Sequence, residues 1–217
     1  MEDKGRGVAG PAEARAPHRD EAQVEFNRIV AFSDGVFAIA ITLLVIGLFI
    51  PEGVPDITRT LLKQWTDLFA YAISFAVIGK FWLSHHRFFA VLERFDGPLM
   101  GLNLAYLAFI ALVPFTSQVL GDYGRDVAPV VLYALNLACV NLMFQVEIAY
   151  AVRHEMIRPA ARPGERRYEV PVNLVLAGVF LLSIPVAFAS TLAATLMWLA
   201  VFLVGARTSS RLAELRS

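Results

Sequence analysis

The chain has 217 residues, 57% hydrophobic and 18% charged, with nineteen Lys and Arg against nineteen Asp and Glu. A net charge of zero argues against a nucleic-acid partner, and a single cysteine excludes an intrachain disulfide or a cysteine-built metal cluster. An apolar excess of this size, gathered into runs of membrane-spanning length, excludes an ordinary soluble domain and marks a chain solvated by lipid.

Residues 1–24 mix Gly, Pro, Ala and charges of both signs without a hydrophobic period, and are expected to form a disordered cytoplasmic tail. Acidic residues lie among the basic ones and no short apolar stretch with a cleavage site follows, so the segment does not read as a signal peptide. Apolar segments then occur at 29–50, 65–84, 99–119, 128–149, 171–188 and 190–206. The predicted fold is therefore an all-α membrane protein, with six transmembrane helices over 25–207 and a cytoplasmic C-terminal tail over 208–217. The last two spans come from one apolar block, Pro171 to Ala206, which is too long for one crossing and is divided near Ala189-Ser190-Thr191.

Orientation follows from the basic residues, which stay on the cytoplasmic side. The N-terminus through Arg28, the Arg87–Arg94 loop, the Arg153–Arg167 loop and the C-terminus from Arg207 carry fifteen; the opposite side carries Arg59, Lys63 and Arg125. Both termini are thus expected in the cytoplasm, with Lys80 inside the second span.

The first span opens with ionisable residues, RIVAFSD, before its apolar run. Projected at about 100° per residue, Arg28, Phe32, Gly35, Ile39, Leu43 and Ile46 form one stripe, with Thr42 at its edge. Ser33 and Asp34 fall well off that stripe, toward whatever packs behind the helix. The ordinary readings are an Arg that snorkels to headgroups, a Ser or Asp that caps the helix, and an apolar stripe that simply packs. Asp34 resists them, because it lies six residues inside Arg28 and a carboxylate removed from water needs a partner.

Arg28-Ile-Val-Ala-Phe32-Ser33-Asp34 resembles the RxxxFSD signature of the transmembrane protein 175 family, the potassium channels of lysosomes and many bacteria. GVFAIAITLLVI resembles that family's first helix, Trp82-Leu-Ser-His85 its WxxH element, and Asn103 to Tyr123 its third helix and following loop. The resemblance implies a potassium channel of the bacterial single-repeat type, in which the first helix lines a pore on the axis of a homotetramer. It implies Ile39, Thr42, Leu43 and Ile46 as pore-lining residues, with the apolar ones forming the constriction, and Arg28, Phe32, Ser33, Asp34, Trp82 and His85 as a structural motif network. The sequence holds no TVGYG carbonyl filter. Stripping an ion fully would cost on the order of 20 kcal/mol, so a hydrophobic constriction has to pass partly hydrated ions or close by dewetting. Potassium holds its water less tightly than sodium, and such a ring penalises sodium more.

Lys80, His85, Asn103, Glu147 and Asn173 share one level toward the cytoplasmic face, a polar collar into which Ser33 and Asp34 are expected to bond, with His85 as the partner implied by the resemblance. His85 beside His86 does not make a metal site, since adjacent helical residues point about 100° apart; His85 is a candidate pH sensor. Trp65, Trp82, Trp198 and Tyr71 read as interfacial anchors or packing, and Asn136, Asn141 and Gln145 as interhelical hydrogen bonds.

No HExxH, GxSxG or paired midplane carboxylate points to an enzyme. A coupled secondary transporter, or a proton-leak pathway, is the alternative to a channel, with Pro114 and Pro185 as the interior helix breakers such a transporter would use. No cofactor is expected beyond the permeant potassium. The expected partners are identical copies of the chain and the lipid bilayer, and the expected location is the plasma membrane.

Overall fold

The computed structural model describes residues 16–48, 55, 56, 58, 61, 65–158 and 163–198. The expected C-terminal tail 208–217, the end of the last span and the cations Arg59, Lys63, Arg162 and Arg207 lie outside these residues. The described chain is helical: α1 (Ala16–Leu43), extended by a 3-10 turn at Leu44–Gly47, α2 (Trp65–Val91), α3 (Gly97–Tyr123), α4 (Val127–Arg153), α5 (Pro163–Ala189), and α6, described over 191–198. Helix α1 begins inside the segment expected to be a disordered tail, so that expectation is corrected for residues 16–24. The run from Glu21 to Asn27 carries good helix formers and no Pro or Gly, enough to continue the helix below the apolar part.

At about 1.5 Å per residue, a helix of 27 residues, the length of α2 to α5, reaches about 40 Å, longer than a hydrocarbon layer of about 30 Å. Among the described residues, Val24–Gly47, Gly97–Tyr123, Val127–Arg153 and Val172–Ala189 are long and apolar enough to cross a membrane. The 65–84 segment lies within α2, whose second half carries Lys80, His85, His86 and Arg87.

Local chemistry sets the boundaries. Asp96 caps α3, its Oδ1 accepting from Leu99 N at 2.9 Å, with Pro98 in the first turn where its missing N–H costs nothing. The long C-terminal apolar block breaks at Ser190, whose Oγ accepts from Ala193 N at 3.2 Å as the cap of α6. Trp198 Nε1 donates to Ser183 Oγ at 2.8 Å, although residues that far apart in one straight helix would be about 22 Å from each other. The chain therefore reverses at Ser190, at the division expected from the sequence. Trp198 is buried against Tyr133 and Phe180, so it serves packing, not an interfacial anchor.

Helix α4 packs along its length against α3 on one side and α5 on the other, while α1 lies chiefly on α3 and touches α2. Phe37, Phe88, Phe89, Tyr106 and Phe144 form an aromatic core where α1 to α4 meet. At one end of the bundle the α2–α3 and α4–α5 connections are joined by their backbones: Glu93 N donates to Met156 O at 2.8 Å and Arg158 N to Val91 O at 3.0 Å. Glu155 takes a left-handed φ of 53°, which turns Met156 inward onto the core.

Candidate functional site

Helix α1 has two apolar faces, and the bundle uses one. Ser33, Phe37, Ala40 and Leu44, spaced at helical intervals, are buried against α2 and α3. On the opposite side Phe32, Ile39, Leu43 and Ile46 are 55%, 61%, 43% and 67% exposed, with Arg28, Gly35 and Thr42 exposed on the same side. The stripe read from the sequence is thus unburied within one protomer. A Cβ built on Gly35 meets nothing within 4 Å, so this surface is open to a close neighbour. Thr42 Oγ1 donates its hydrogen to Ile39 O at 2.9 Å, which leaves the oxygen lone pairs as what this side chain offers outward.

Behind the stripe stands a chain of hydrogen bonds reaching three helices. Asp34 Oδ1 accepts from Trp82 Nε1 on α2 at 2.8 Å. Ser33, fully buried, donates from Oγ to Ile29 O at 3.0 Å and accepts from Asn103 Nδ2 on α3 at 3.0 Å. Asn103 Oδ1 in turn meets His85 Nε2 at 3.0 Å. The expectation that His85 bonds directly to Asp34 or Ser33 is corrected: Trp82 takes Asp34, and Asn103 stands between Ser33 and His85. Asn103 can do this because an amide presents a donor and an acceptor together, and so bridges a hydroxyl to an imidazole. Its side chain is 1% exposed, and His85 is likewise 1% exposed.

Aromatic contacts complete the brace. His85 stacks on Phe89 at 4.2 Å and on Tyr106 at 5.7 Å, and Phe37 of α1 lies 5.4 Å from it. Trp82 stacks on the exposed His86 at 5.5 Å, and near the base of α1 Phe26 packs against Phe89 and Phe95, each at 6.1 Å. The sequence reading missed Phe37 and Tyr106; the spacing of Asn103 and Tyr106, one helical turn apart, was the available signal. Of the other collar residues, Lys80 and Asn173 are half-buried, and Glu147 is buried with neither oxygen hydrogen-bonded among the described residues. Asn136 does bond between helices, to Thr116 Oγ1 at 3.2 Å, whereas Asn141 bonds within its own helix, to Leu137 O. Among the described residues no group of His, Cys, Asp and Glu is arranged to hold a metal ion.

This geometry coincides with the part of the chain that known proteins share. A family model described as the endosomal/lysosomal potassium channel TMEM175 matches residues 28–114, from the arginine of RxxxFSD to the middle of α3. A potassium channel of Streptomyces collinus is 42% identical over 128 residues, covering 56% of this chain and 62% of the relative. One of Chamaesiphon minutus is 40% identical over 105 residues, covering 46% and 52%. The chain thus spans between about half and two thirds of the length of these curated relatives. The endosomal/lysosomal proton channel TMEM175 of Bos taurus is 30% identical over 159 residues, 65% of this chain and 33% of that protein. In three dimensions the crystal structure of a lysosomal potassium-selective channel TMEM175 homolog from Chamaesiphon minutus superimposes with a TM-score of 0.70 at 27% identity, over 85% of this chain and 98% of that one. Motif, matched segment and superimposed fold together make this chain similar to TMEM175 channels, in sequence over residues 28–114 and in fold over 85% of its length.

Proposed function

We propose that the chain is a potassium-selective cation channel of the plasma membrane, with α1 lining a pore on the axis of a homotetramer. The observation that carries the reading is the exposure of Ile39, Leu43 and Ile46 on α1 while the opposite face of the same helix is locked into the bundle. One helix cannot enclose a conduit, so copies have to assemble, and a closed ring of head-to-tail contacts places the same stripe from each copy around the axis. In this arrangement Ile39, Leu43 and Ile46 form a hydrophobic constriction, and Thr42 offers hydroxyl oxygens beside it. Six spans, with both termini in the cytoplasm, follow from the distribution of Lys and Arg. The bacterial relatives named as potassium channels, and the potassium-selective structural neighbour, support the choice of ion. The vertebrate relatives, named as proton channels, support proton conduction as the second reading.

Purified protein in liposomes, with potassium, sodium and protons offered in turn, separates the readings: a channel passes ions down their gradients without a stoichiometric partner. Replacing Ile39 with Asn is expected to raise sodium permeability relative to potassium, since an amide ring solvates the more tightly hydrated ion. An unchanged reversal potential in mixed potassium and sodium would reject Ile39 as part of the selective constriction.

A further inference from the structure

Three consecutive residues of α3 each touch a different helix. Thr116 Oγ1 accepts from Asn136 Nδ2 of α4 at 3.2 Å, Ser117 Oγ lies 2.6 Å from Ser74 Oγ of α2, and Gln118 lies against the end of α1. They follow Pro114, which has no N–H to continue the helical ladder, and the bonds of Thr116 and Ser117 fix the turn beyond it. Gln118 meets α1 at Gly47: a Cβ built there would lie 3.8 Å from Gln118 Cγ and 3.9 Å from Cδ. The side chain thus rests across a stretch of backbone that carries no side chain of its own. Its neighbour there is Ile46, the last residue of the stripe, which is 67% exposed, and Gln118 is itself exposed.

This end of α1 is electrically negative. The helix finishes in the 3-10 turn Leu44–Gly47 with no Lys or Arg in that turn, and the free carbonyls of a helix C-terminus together carry about half a negative charge. A primary amide beside them offers its oxygen to a cation and its NH2 to the carbonyls, so one Gln serves both. Asp122, exposed and one turn farther along α3, adds a carboxylate on the same side, while Arg125 and Asp126 beyond it offset each other.

We propose that Gln118 belongs to the outer mouth of the pore, where its amide and the C-terminus of α1 from each copy form a polar, cation-collecting vestibule above the apolar constriction. The inference rests on the reading of α1 as the pore helix and extends it to a residue outside that helix. The vestibule raises the local concentration of cations over anions. The choice between potassium and sodium stays with the constriction. A side chain that only filled the space over Gly47 would be indifferent to the sign of its charge.

Single-channel recording of the full-length protein in planar lipid bilayers tests this with Gln118→Glu, which keeps the shape, and Gln118→Lys. In dilute KCl, Gln118→Glu is expected to raise and Gln118→Lys to lower the potassium current entering from the Gly47 end, by roughly threefold or more, the effect of a unit charge within a Debye length of the ions' path. Both shifts are expected to vanish in about 1 M KCl, where the Debye length falls to about 3 Å, and the reversal potential in mixed potassium and sodium is expected to stay at the wild-type value. Currents equal to wild type in dilute KCl, or shifts of the same sign in both variants, would overturn the proposal and leave the channel reading standing. A wild-type protein that passes no current would overturn both.

Discussion

Asp34 shows how a carboxylate is kept inside a membrane helix at low cost. Its Oδ1 receives the Trp82 indole N–H at 2.8 Å, and the residue is only partly buried. The bond ties α1 to α2 one residue from the Ser33–Asn103 bond that ties it to α3, so two neighbouring positions fix the rotation of α1 about its axis. Rotation is the quantity that decides whether Ile39 or Phe37 faces outward. Asp34→Ala is expected to lower stability by about 1–3 kcal/mol, the usual cost of an indole donor left unpaired, and to reduce potassium flux. Asp34→Asn, which retains an acceptor, should lose less. Thermal unfolding in detergent and liposome flux measure both, and unchanged values in Asp34→Ala would show that the brace does not hold the helix.

At the scale of elements, the sequence announces spans by their apolar length and hides their partners. The break at Ser190 was legible because no single helix of 36 residues, Pro171 to Ala206, fits a bilayer, and because Ser-Thr is a capping pair. Ser190→Ala removes the acceptor for Ala193 N and is expected to cost about 1 kcal/mol, read as a lower melting temperature, with Trp198 fluorescence reporting looser packing against Ser183. A melting temperature and emission equal to wild type would contradict the cap. Of the residues expected in the motif network, Ser33, Asp34, Trp82 and His85 take part in these hydrogen bonds, with Asn103 joining them, while Arg28 and Phe32 lie on the exposed face of α1. An RxxxFSD string carries Ser33 and Asp34 but not the interhelical register that gives Trp82 to one and Asn103 to the other. The loop bridge between Glu93 and Met156 left no sequence signal, because backbone pairing is blind to side-chain identity. The start of α1 at Ala16 was missed because a mixed-charge segment without a hydrophobic period reads as coil, while continuity with a strong helix lets it propagate.

For the whole molecule, the decisive fact is that α1 spends only one of its apolar faces on its own bundle. Ile39, Leu43 and Ile46 are left outside the bundle of one protomer, as are the exposed Leu182 and Phe188 of α5. What distinguishes the α1 stripe is its position opposite a braced face and its edge of Gly35 and Thr42, which brings helices close and offers oxygens. The two surfaces can be told apart by water. In a background where Cys139 is replaced by Ala, cysteine is placed at Ile39 or at Leu182, and potassium flux is followed while a small water-soluble, thiol-reactive cation is added. The account predicts that flux through Ile39→Cys is blocked while Leu182→Cys is unaffected. Equal indifference of the two variants, with both conducting, would place the stripe against lipid and contradict the account.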